Sequence, residues 1–376
     1  MKKVLIVNAV PVNNGDAALV MAIYSAFEKK GLDVAIATHN YKIVSGYYPD
    51  KEIVRDLLDY YIIKKLPIIR YILIPFFLII LKQYREADIV LGAPGGYINS
   101  YYGIFDKLYV LFMCKLLGKK TAIYSQSVGP LNPRDANRFS FFLNYLDLVY
   151  VRDCLSYDTA KALSVGRNNI RLTEDAAFLL EPNLINRNKM KKVAVSVRDW
   201  AFDSRDKDKY YFLIAELVKC CVLNGYSVEF LSTCQGVPGY LDDSKVAESI
   251  VDAHLKEVEM VTIDKERRTL SNLRTKLNEY DFVIGTRLHM CILSILNGIP
   301  AFNISYESKG TECYAYLGMS EYSIDYNAEH VMATEQINDF INNLDKLEKH
   351  LKERIVMSHS DSVKYFEQFC AELGVI

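Results

Sequence analysis

The sequence contains 376 residues, of which 51% are apolar and 24% are charged. A chain of this length exceeds the size at which one hydrophobic core usually stops growing, so we expect two domains. Its 45 basic and 46 acidic side chains almost cancel. This balance excludes the large positive field of many nucleic-acid-binding proteins and leaves any anion site to a local cluster.

The cysteines and the N-terminus predict a cytoplasmic protein. The eight cysteines are scattered, with neither a C-x-x-C pair nor a Cys/His cluster at zinc-ligand spacing. Residues 4–7 are apolar, but the polar residues 13–16 follow too soon for the hydrophobic region of a signal peptide. We therefore interpret residues 4–7 as a first β-strand, and we predict no metal site.

Short apolar runs alternate with amphipathic stretches in the first half, a pattern typical of βα units in a parallel sheet. The predicted strands are 4–7, 34–37, 89–91, 121–124 and 148–151. Ligands of open α/β sheets gather at the carboxyl ends of the strands, so the loops that follow these strands are the candidate sites.

The most apolar stretch is 66–81, which is shorter than the ~20 residues of a membrane-spanning helix and is interrupted by Arg70 and Pro75. Three interpretations stay open, first a buried core helix, second an interfacial element that contacts lipid headgroups, and last a membrane-spanning segment. The second predicts peripheral attachment to the inner face of the cell membrane. It is favoured by flanking basic side chains, which are Lys64, Lys65, Arg70 and Lys82.

A polar stretch at 181–192 interrupts the strand pattern and predicts a domain boundary. A second series of predicted strands follows at 193–197, 228–231, 282–284 and 301–304. From residue 334 onward apolar residues recur every three or four positions, as in an amphipathic helix. We predict domains at 1–185 and 190–333, and a helical tail at 334–376 that crosses back to the first domain.

The first candidate cluster is Asn14-Gly15-Asp16, between the first strand and a predicted helix at 19–29. A helix N-terminus offers unpaired N–H groups to a ligand oxygen or phosphate. The loop lacks the G-x-G-x-x-G pattern, which disfavours a dinucleotide cofactor. The alternative is that Asp16 only caps the helix.

The second candidate cluster is the glycine-rich loop 92–102, which contains Gly95, Gly96, Asn99 and three tyrosines. Glycines allow a ligand to approach the backbone, and amides and aromatic faces suit a sugar ring. Tyrosines are abundant throughout the chain, so a structural role for this loop is an equal alternative.

The third candidate cluster lies after the later strands, where Arg287 and His289 precede a predicted helix at 290–297. A guanidinium and an imidazole at a helix N-terminus can bind a small dianion. The neighbouring strand ends contribute Arg198, Tyr306 and Lys309.

These motifs together resemble the polysaccharide pyruvyl transferases. The matching segments, in the order of that family, are Asn14-Gly15-Asp16, Gly95-Gly96, Ser125-Gln126-Ser127-Val128-Gly129-Pro130-Leu131, Val151-Arg152-Asp153 with Ser156, Glu174-Asp175-Ala176-Ala177-Phe178, Arg287-x-His289 and Tyr306-x-x-Lys309. Pro94 and Tyr97 depart from the family pattern, because many members have a further glycine in this loop.

The resemblance implies a fold like the B-type glycosyltransferases, with two Rossmann-like α/β domains that face each other across a cleft. Phosphoenolpyruvate would bind the C-terminal domain and a sugar or lipid-linked oligosaccharide would bind the N-terminal one. We then expect transfer of pyruvate to two sugar hydroxyls as a ketal during surface polysaccharide biosynthesis, with no metal or redox cofactor. The alternatives are a nucleotide-sugar-dependent glycosyltransferase and a non-catalytic glycan-binding protein.

The chemistry of phosphoenolpyruvate suggests a role for each candidate residue. Protonation of the methylene carbon needs an acid, the sugar hydroxyl needs a base, and the carboxylate and phosphate need cations. We assign His289 as the acid, and Asp16 as the base or as a carboxylate that orients the acceptor. The expected donor-binding residues are Arg198, Arg287, Tyr306 and Lys309, and the expected acceptor-binding residues are Asn14, Gly15, Gly95, Gly96 and Asn99.

Overall fold

The computed structural model describes residues 1–65, 69–164, 166–185, 187–200, 202–237 and 239–375. The chain forms two compact units. Unit 1 consists of Met1–Val12, Leu19–Leu179 and Asp361–Ile376, and unit 2 consists of Asn13–Ala18 and Leu180–Ser360. Each unit contains a parallel β-sheet with helices, and each is described by itself.

The sheet of unit 1 consists of parallel strands in the order β3-β2-β1-β4-β6-β7-β8, with β5 paired to β6. Their bounds are β1 Lys3–Ala9, β2 Asp33–Thr38, β3 Glu52–Arg55, β4 Ile89–Gly92, β5 Gly95–Ile98, β6 Lys120–Val128, β7 Leu148–Val151 and β8 Ile170–Leu172. Every residue of β4 and β7 is buried, as expected for parallel strands covered on both faces.

The helices from the first half of the chain connect these strands. They are α1 Asn14–Lys29, α2 Tyr41–Tyr47, α3 Tyr61–Lys65, α4 Arg70–Ile80, α5 Lys82–Glu86, α6 Phe105–Leu116, α7 Pro133–Leu143 and α8 Cys154–Leu163, with short 3-10 turns at Leu57–Asp59 and Ala176–Leu179. Local sequence explains several helix starts. For example, Asn132 accepts a hydrogen bond from Asp135 N, and Pro133 is the first residue of α7.

The sheet of unit 2 also consists of parallel strands, in the order β11-β10-β9-β12-β13-β14. Their bounds are β9 Lys192–Ser196, β10 Ser227–Phe230, β11 Val261–Ile263, β12 Phe282–Gly285, β13 Ala301–Ser305 and β14 Ser323–Asp325. In chain order this is 3-2-1-4-5-6, the Rossmann arrangement. The sheet therefore reverses its order between β9 and β12.

The helices from the second half of the chain are α9 Lys207–Leu223, α10 Asp243–Ile250, α11 Leu270–Leu277, α12 Leu288–Leu296, α13 Ser308–Tyr316, α14 His330–Asn342 and α15 Leu344–Glu372. A π-helical turn at Val251–Leu255 follows α10, and a 3-10 turn occurs at Ser320–Tyr322. The residues of α15 from Asp361 onward belong to unit 1. There Phe366 and Phe369 pack edge-on against Tyr124.

The nine predicted strands are all present, as β1, β2, β4, β6, β7, β9, β10, β12 and β13. The predicted fold class of two parallel-sheet α/β domains is therefore confirmed. Two local predictions were wrong. Helix α1 begins at Asn14, not at residue 19, because the Asn13 side chain accepts a hydrogen bond from Gly15 N at 3.0 Å and caps the helix. The loop predicted at 92–102 contains strand β5.

Helix α4 lies in the apolar stretch 66–81, of which residues 66–68 are outside the described part of the chain. One face of α4 packs into the core through Ile74 and Leu78. The opposite face carries Ile72, Phe76 and Ile79, which are 76%, 58% and 54% exposed. Within the described residues, no helix has the length and hydropathy needed to span a bilayer.

Candidate functional site

The predicted donor residues lie at the carboxyl edge of the unit 2 sheet, where the strand order reverses. Arg198 lies two residues after β9, and Arg287 lies two residues after β12. His289 is the second residue of α12, and Lys309 is the second residue of α13. Open α/β sheets bind ligands outside the carboxyl ends of the strands at this reversal. The fold thus brings the predicted donor residues to one edge.

Arg198 is held by aromatic side chains. Its guanidinium carbon lies 5.2 Å from the ring centroid of Trp200 and 5.0 Å from that of Tyr306. Its Nη1 donates a hydrogen bond to Tyr306 Oη at 2.5 Å. The buried Nε of Arg198 has no hydrogen-bond partner in the described parts of the chain, and no carboxylate there lies within ion-pair distance. Arg198 is therefore a cation with donor capacity left for an anion.

Arg287 is held by an acidic side chain instead. Its Nε and Nη2 donate to the two carboxylate oxygens of Asp243 at 2.9 and 2.6 Å. Both residues are buried. Burial alone would lower the pKa of Arg287, but the Asp243 carboxylate raises this pKa above its usual value and keeps the guanidinium charged. The two-point geometry expected for the donor is thus engaged by Asp243.

His289 is partly exposed and lies against the segment Asn13–Ala18 within unit 2. A Cβ added at Gly15 would lie 3.1 Å from His289 Nδ1 and 3.2 Å from His289 Cβ. Only glycine therefore fits here without a shift of the imidazole. The close approach explains why a glycine lies two residues after the capping Asn13.

Asp16 lies in the first turn of α1 and is partly exposed. Its Oδ2 accepts a hydrogen bond from Asn13 Nδ2 at 3.1 Å. Capping of α1 is performed by Asn13, so the carboxylate of Asp16 is not used for it. Asn14 has a structural role, because its backbone N–H donates to Thr233 O and its side chain donates to Arg268 O, both at 3.0 Å.

Lys309 and Tyr306 complete the predicted donor residues. The ammonium of Lys309 lies 2.5 Å from Glu307 Oε2 and 5.8 Å from the ring centroid of Tyr306. The carboxylate of Glu307 partly neutralises this cation. Arg198 therefore differs from Arg287 and Lys309, each of which forms an ion pair with a carboxylate among the described residues.

The sequence analysis missed several polar groups at the same edge. Buried oxygens of Ser196, Thr233 and Gln235 have no hydrogen-bond partner in the described ranges. Burial raises the pKa of the neighbouring Cys234 thiol to about 11, with opposing electrostatic effects from Arg287 and Asp243. Thr233 comes two residues after the predicted strand 228–231, so the strand-end rule that found Arg198 would also have found it, whereas Ser196 lay inside the predicted strand 193–197.

The remaining predicted acceptor residues belong to unit 1. Gly95 and Gly96 begin strand β5. Asn99 is buried, its Nδ2 donates to Gly96 O at 2.6 Å, and its Oδ1 accepts from Tyr102 N at 3.1 Å. Both ends of this amide therefore stabilise the loop itself.

Comparison with known protein families matches residues 13–308 to the family described as polysaccharide pyruvyl transferase. The matched range contains Gly15, Arg198, Arg287 and His289 and spans most of the chain. The chain belongs to this family of transferases. The resemblance inferred from the sequence motifs is confirmed.

One relative is the amylovoran biosynthesis protein AmsJ of Erwinia amylovora. It is 26% identical over 292 residues, which cover 72% of this chain and 69% of the relative.

Several solved structures share the fold, among them a glycosyltransferase and a rhamnosyltransferase. The glycosyltransferase of Rickettsia africae has a TM-score of 0.66 at 10% identity, with 99% and 98% of the two chains covered. The Anabaena protein Alr3699/HepE in complex with UDP has a TM-score of 0.64 at 11% identity, with both chains fully covered. The spinosyn rhamnosyltransferase SpnG has a TM-score of 0.55 at 12% identity, with 97% and 96% covered. The predicted similarity to B-type glycosyltransferases is confirmed.

In this pyruvyl transferase family member, the edge of unit 2 combines cations, an imidazole and two helix N-termini. The N-termini of α12 and α13 carry partial positive charges, which add to the charges of Arg198 and Lys309 at this edge. Such an arrangement can bind a small anion and transfer a proton to it. In the described ranges, no group of three or more His, Cys, Asp or Glu side chains has the arrangement of a metal site.

Proposed function

We propose that this protein transfers the pyruvyl group of phosphoenolpyruvate to two hydroxyls of a sugar, as a ketal, during polysaccharide biosynthesis. The observation that carries the proposal is the position of His289, at the same sheet edge as the cation Arg198 and beside the segment that contains Gly15 and Asp16. Family membership and the relative named for amylovoran biosynthesis support the class of product.

Donor binding is assigned first to Arg198. Its Nε has no hydrogen-bond partner among the described residues, and the buried Asp243 carboxylate interacts with it only at longer range, so an incoming phosphate or carboxylate can supply a direct partner. Lys309 and the N-termini of α12 and α13 add further positive potential. Arg287 is better described as a positioning residue, because its ion pair with Asp243 fixes the start of α12 two residues before His289.

The proposed reaction begins with proton transfer from the His289 imidazolium to the methylene carbon of phosphoenolpyruvate. This step forms the methyl group and leaves cationic character on the carbon that bears the carboxylate and phosphate. A sugar hydroxyl adds to that carbon and gives its proton to Asp16. The C–O bond to phosphate then breaks, a second hydroxyl adds and closes the ketal, and its proton leaves with inorganic phosphate.

Phosphate release is the direct test of this reaction. Purified protein is incubated with phosphoenolpyruvate and a panel of sugar acceptors, and in parallel with nucleotide sugars and the same acceptors. We expect phosphate release that depends on the acceptor, and solvent deuterium in the methyl group of the product. Release of a nucleotide without release of phosphate would instead identify a nucleotide-sugar-dependent glycosyltransferase. Binding without turnover of either donor would identify a glycan-binding protein.

We further propose that the exposed face of α4 contacts the inner face of the membrane, where lipid-linked acceptors would be available. Three large apolar side chains on this face are more than half exposed, namely Ile72, Phe76 and Ile79. Exposed lysines flank the helix at Lys65 and Lys82, and such residues attract anionic headgroups.

Co-sedimentation with anionic vesicles tests the membrane contact. The variant to compare with wild type is Ile72→Asp/Phe76→Asp, because Leu78 belongs to the core and its replacement by Asp would unfold the unit. We expect wild type in the pellet and the double variant in the supernatant, with equal melting temperatures. Equal partitioning of the two folded proteins would exclude α4 as the contact.

A further inference from the structure

A second group of polar atoms is buried in unit 1, at the carboxyl edge of its sheet. Gln126 on β6 is fully buried, and both its amide oxygen and its amide nitrogen lack a hydrogen-bond partner in the part of the chain that the structure describes. The buried hydroxyl of Tyr97, on the paired strand β5, likewise lacks one there. Because buried polar groups are almost always hydrogen-bonded, three such atoms grouped on adjacent strands make this place a candidate binding site.

Other side chains surround these atoms. The Nζ of Lys107 on α6 lies 5.3 Å from the ring centroid of Tyr97. The side chain of Asn8, near the end of β1, donates to Lys107 O at 3.5 Å. Burial raises the pKa of the Tyr97 phenol, and the nearby amides of Asn8 and Gln126 partly offset this rise. One cluster is therefore formed by four residues, Asn8, Tyr97, Lys107 and Gln126. The amides of Asn8 and Gln126 lie near Tyr97 Oη but do not meet it with the geometry of a hydrogen bond.

Room for the cluster depends on Gly92, which ends β4. A Cβ added at Gly92 would lie 2.9 Å from Tyr97 Oη. Strand order in unit 1 reverses between β1 and β4, so the cluster lies where open α/β sheets bind ligands.

The backbone is irregular at the same place. Asn8 has a φ of 62° and Ser125 has a φ of 52°, which are left-handed values that non-glycine residues seldom adopt. The pairing of β1 with β2 shifts register between Ile6 and Ala9, and that of β6 with β7 shifts between Ile123 and Gln126. Bulges of this kind re-aim side chains and are common beside active sites. The irregularity in β1 includes Asn8, and the one in β6 directly precedes Gln126.

The chemistry of the cluster selects a neutral ligand. Amides and phenols both donate and accept hydrogen bonds, as sugar hydroxyls do. No arginine or carboxylate belongs to the cluster, and burial lowers the pKa of Lys107 to about 8, which weakens its use as a permanent cation. The aromatic face of Tyr97 adds a surface against which a sugar ring can pack.

We propose that Asn8, Tyr97 and Gln126 bind the hydroxyl groups of a sugar ring at this edge of unit 1. The inference rests on the proposed function only in naming that sugar as the acceptor.

The test compares Gln126→Leu and Tyr97→Phe with wild type, using methyl glucoside, galactoside and mannoside as probes in saturation-transfer NMR. Each variant removes polar atoms without a partner, so we expect an unchanged or higher melting temperature. For the glycoside that binds best we expect at least about a tenfold loss of affinity, because a sugar hydroxyl then lacks its hydrogen-bond partner in the protein. Loss of sugar affinity without loss of stability is the outcome that a purely structural role cannot give.

Thr121→Val is the matched control. Thr121 lies on the same strand, is fully buried, and its hydroxyl also lacks a partner in the described residues, but it is at the start of β6, far along the strand from Gln126. We expect its sugar affinity to equal that of wild type. Failure of all three glycosides to bind wild type, or equal affinity in Gln126→Leu, would overturn the inference.

Phosphoenolpyruvate binding is measured in the same samples, so that the two proposals fail separately. Sugar binding that requires Gln126, in a protein that neither binds nor cleaves phosphoenolpyruvate, would leave this site standing and refute the proposed function. Acceptor-dependent phosphate release at equal rates in wild type and Gln126→Leu would support the proposed function and refute this sugar site.

Discussion

The carboxyl edges of the two sheets carry different kinds of polar group. In unit 2 the edge is charged, with Arg198, Arg287 and Lys309 near the start of two helices. In unit 1 the edge is neutral, with the buried amide of Gln126 and the phenol of Tyr97. One topology, with the strand order 3-2-1-4 in both sheets, thus supports two chemistries. The residues after the strands, and not the sheet, decide which ligand each edge suits.

The charged edge also differs in how its cations are balanced. Arg287 is engaged by Asp243 and Lys309 by Glu307, whereas the side chain of Arg198 contacts aromatic rings and a phenol hydroxyl and forms no ion pair within the part of the chain that the structure describes. A cation that already has a carboxylate partner shapes the site, and one without such a partner is available to an anionic ligand. The comparison therefore predicts separate effects for substitutions at the two edges.

The largest effect is expected for His289→Gln. If His289 protonates the donor, turnover should fall by roughly 10²–10⁴-fold, as for a lost general acid. The affinities for phosphoenolpyruvate and for the sugar should both persist, because the cations and the neutral edge are unchanged. Phosphate release and calorimetry measure the two effects. Near-normal turnover in a folded variant would remove His289 from the chemistry.

Asp16→Asn tests the assignment of the base. Asn13 caps α1, so the amide should leave the helix and the melting temperature unaltered. Loss of the proton acceptor should lower turnover by roughly 10²-fold or more and spare phosphoenolpyruvate affinity. Full activity would show that this carboxylate serves only its contact with Asn13.

Arg198→Lys should weaken donor binding about tenfold to a hundredfold, because an ammonium cannot reproduce the directed bonds of a guanidinium. Sugar affinity should not change, which distinguishes the two edges. Arg138→Lys, at an ion pair on the surface of unit 1, is the control. Unchanged donor affinity in calorimetry would show that Arg198 is only a packing residue.

Gly15→Ala should have a smaller effect. The added methyl group would meet the His289 imidazole at 3.1 Å, so the ring must move by a few tenths of an ångström. We expect about a tenfold loss of turnover from this misplacement. Gly46→Ala is the matched control, since nothing lies within 4 Å of a Cβ there. Equal kinetics for the two variants would show that the position of His289 is not critical.

The sequence predicted the strands that form the centre of each sheet, because their continuous apolar runs are typical of strands buried on both faces. It missed the edge strands β3, β8, β11 and β14, which have only three or four residues each and mixed polarity. Strand β5 was missed because Gly95 and Gly96 indicated a loop. Glycines in a sequence indicate only that the backbone is free to adopt many conformations. Whether the segment forms a strand depends on its pairing with β6, which is distant in sequence.

At the candidate site, the sequence predicted which residues follow the strands but not which partners they have. The pairing of Arg287 with Asp243 joins residues 44 positions apart, and no local pattern indicates it. The contact between Gly15 and His289 joins residues even farther apart in the chain. The unpartnered amide of Gln126 was equally hidden, because a glutamine inside an apolar strand has no sequence feature that reveals its missing hydrogen bonds.

The aromatic contact of Arg198 gives the protein an intrinsic optical reporter. Trp200 is the one tryptophan of the chain, and its ring centroid lies 4.4 Å from that of Tyr306, beside the guanidinium. Indole emission excited at the red edge of the absorption band therefore originates from the charged edge alone. Its intensity and wavelength should respond when an anion draws the guanidinium away from the ring, so donor occupancy can be followed in real time without a label.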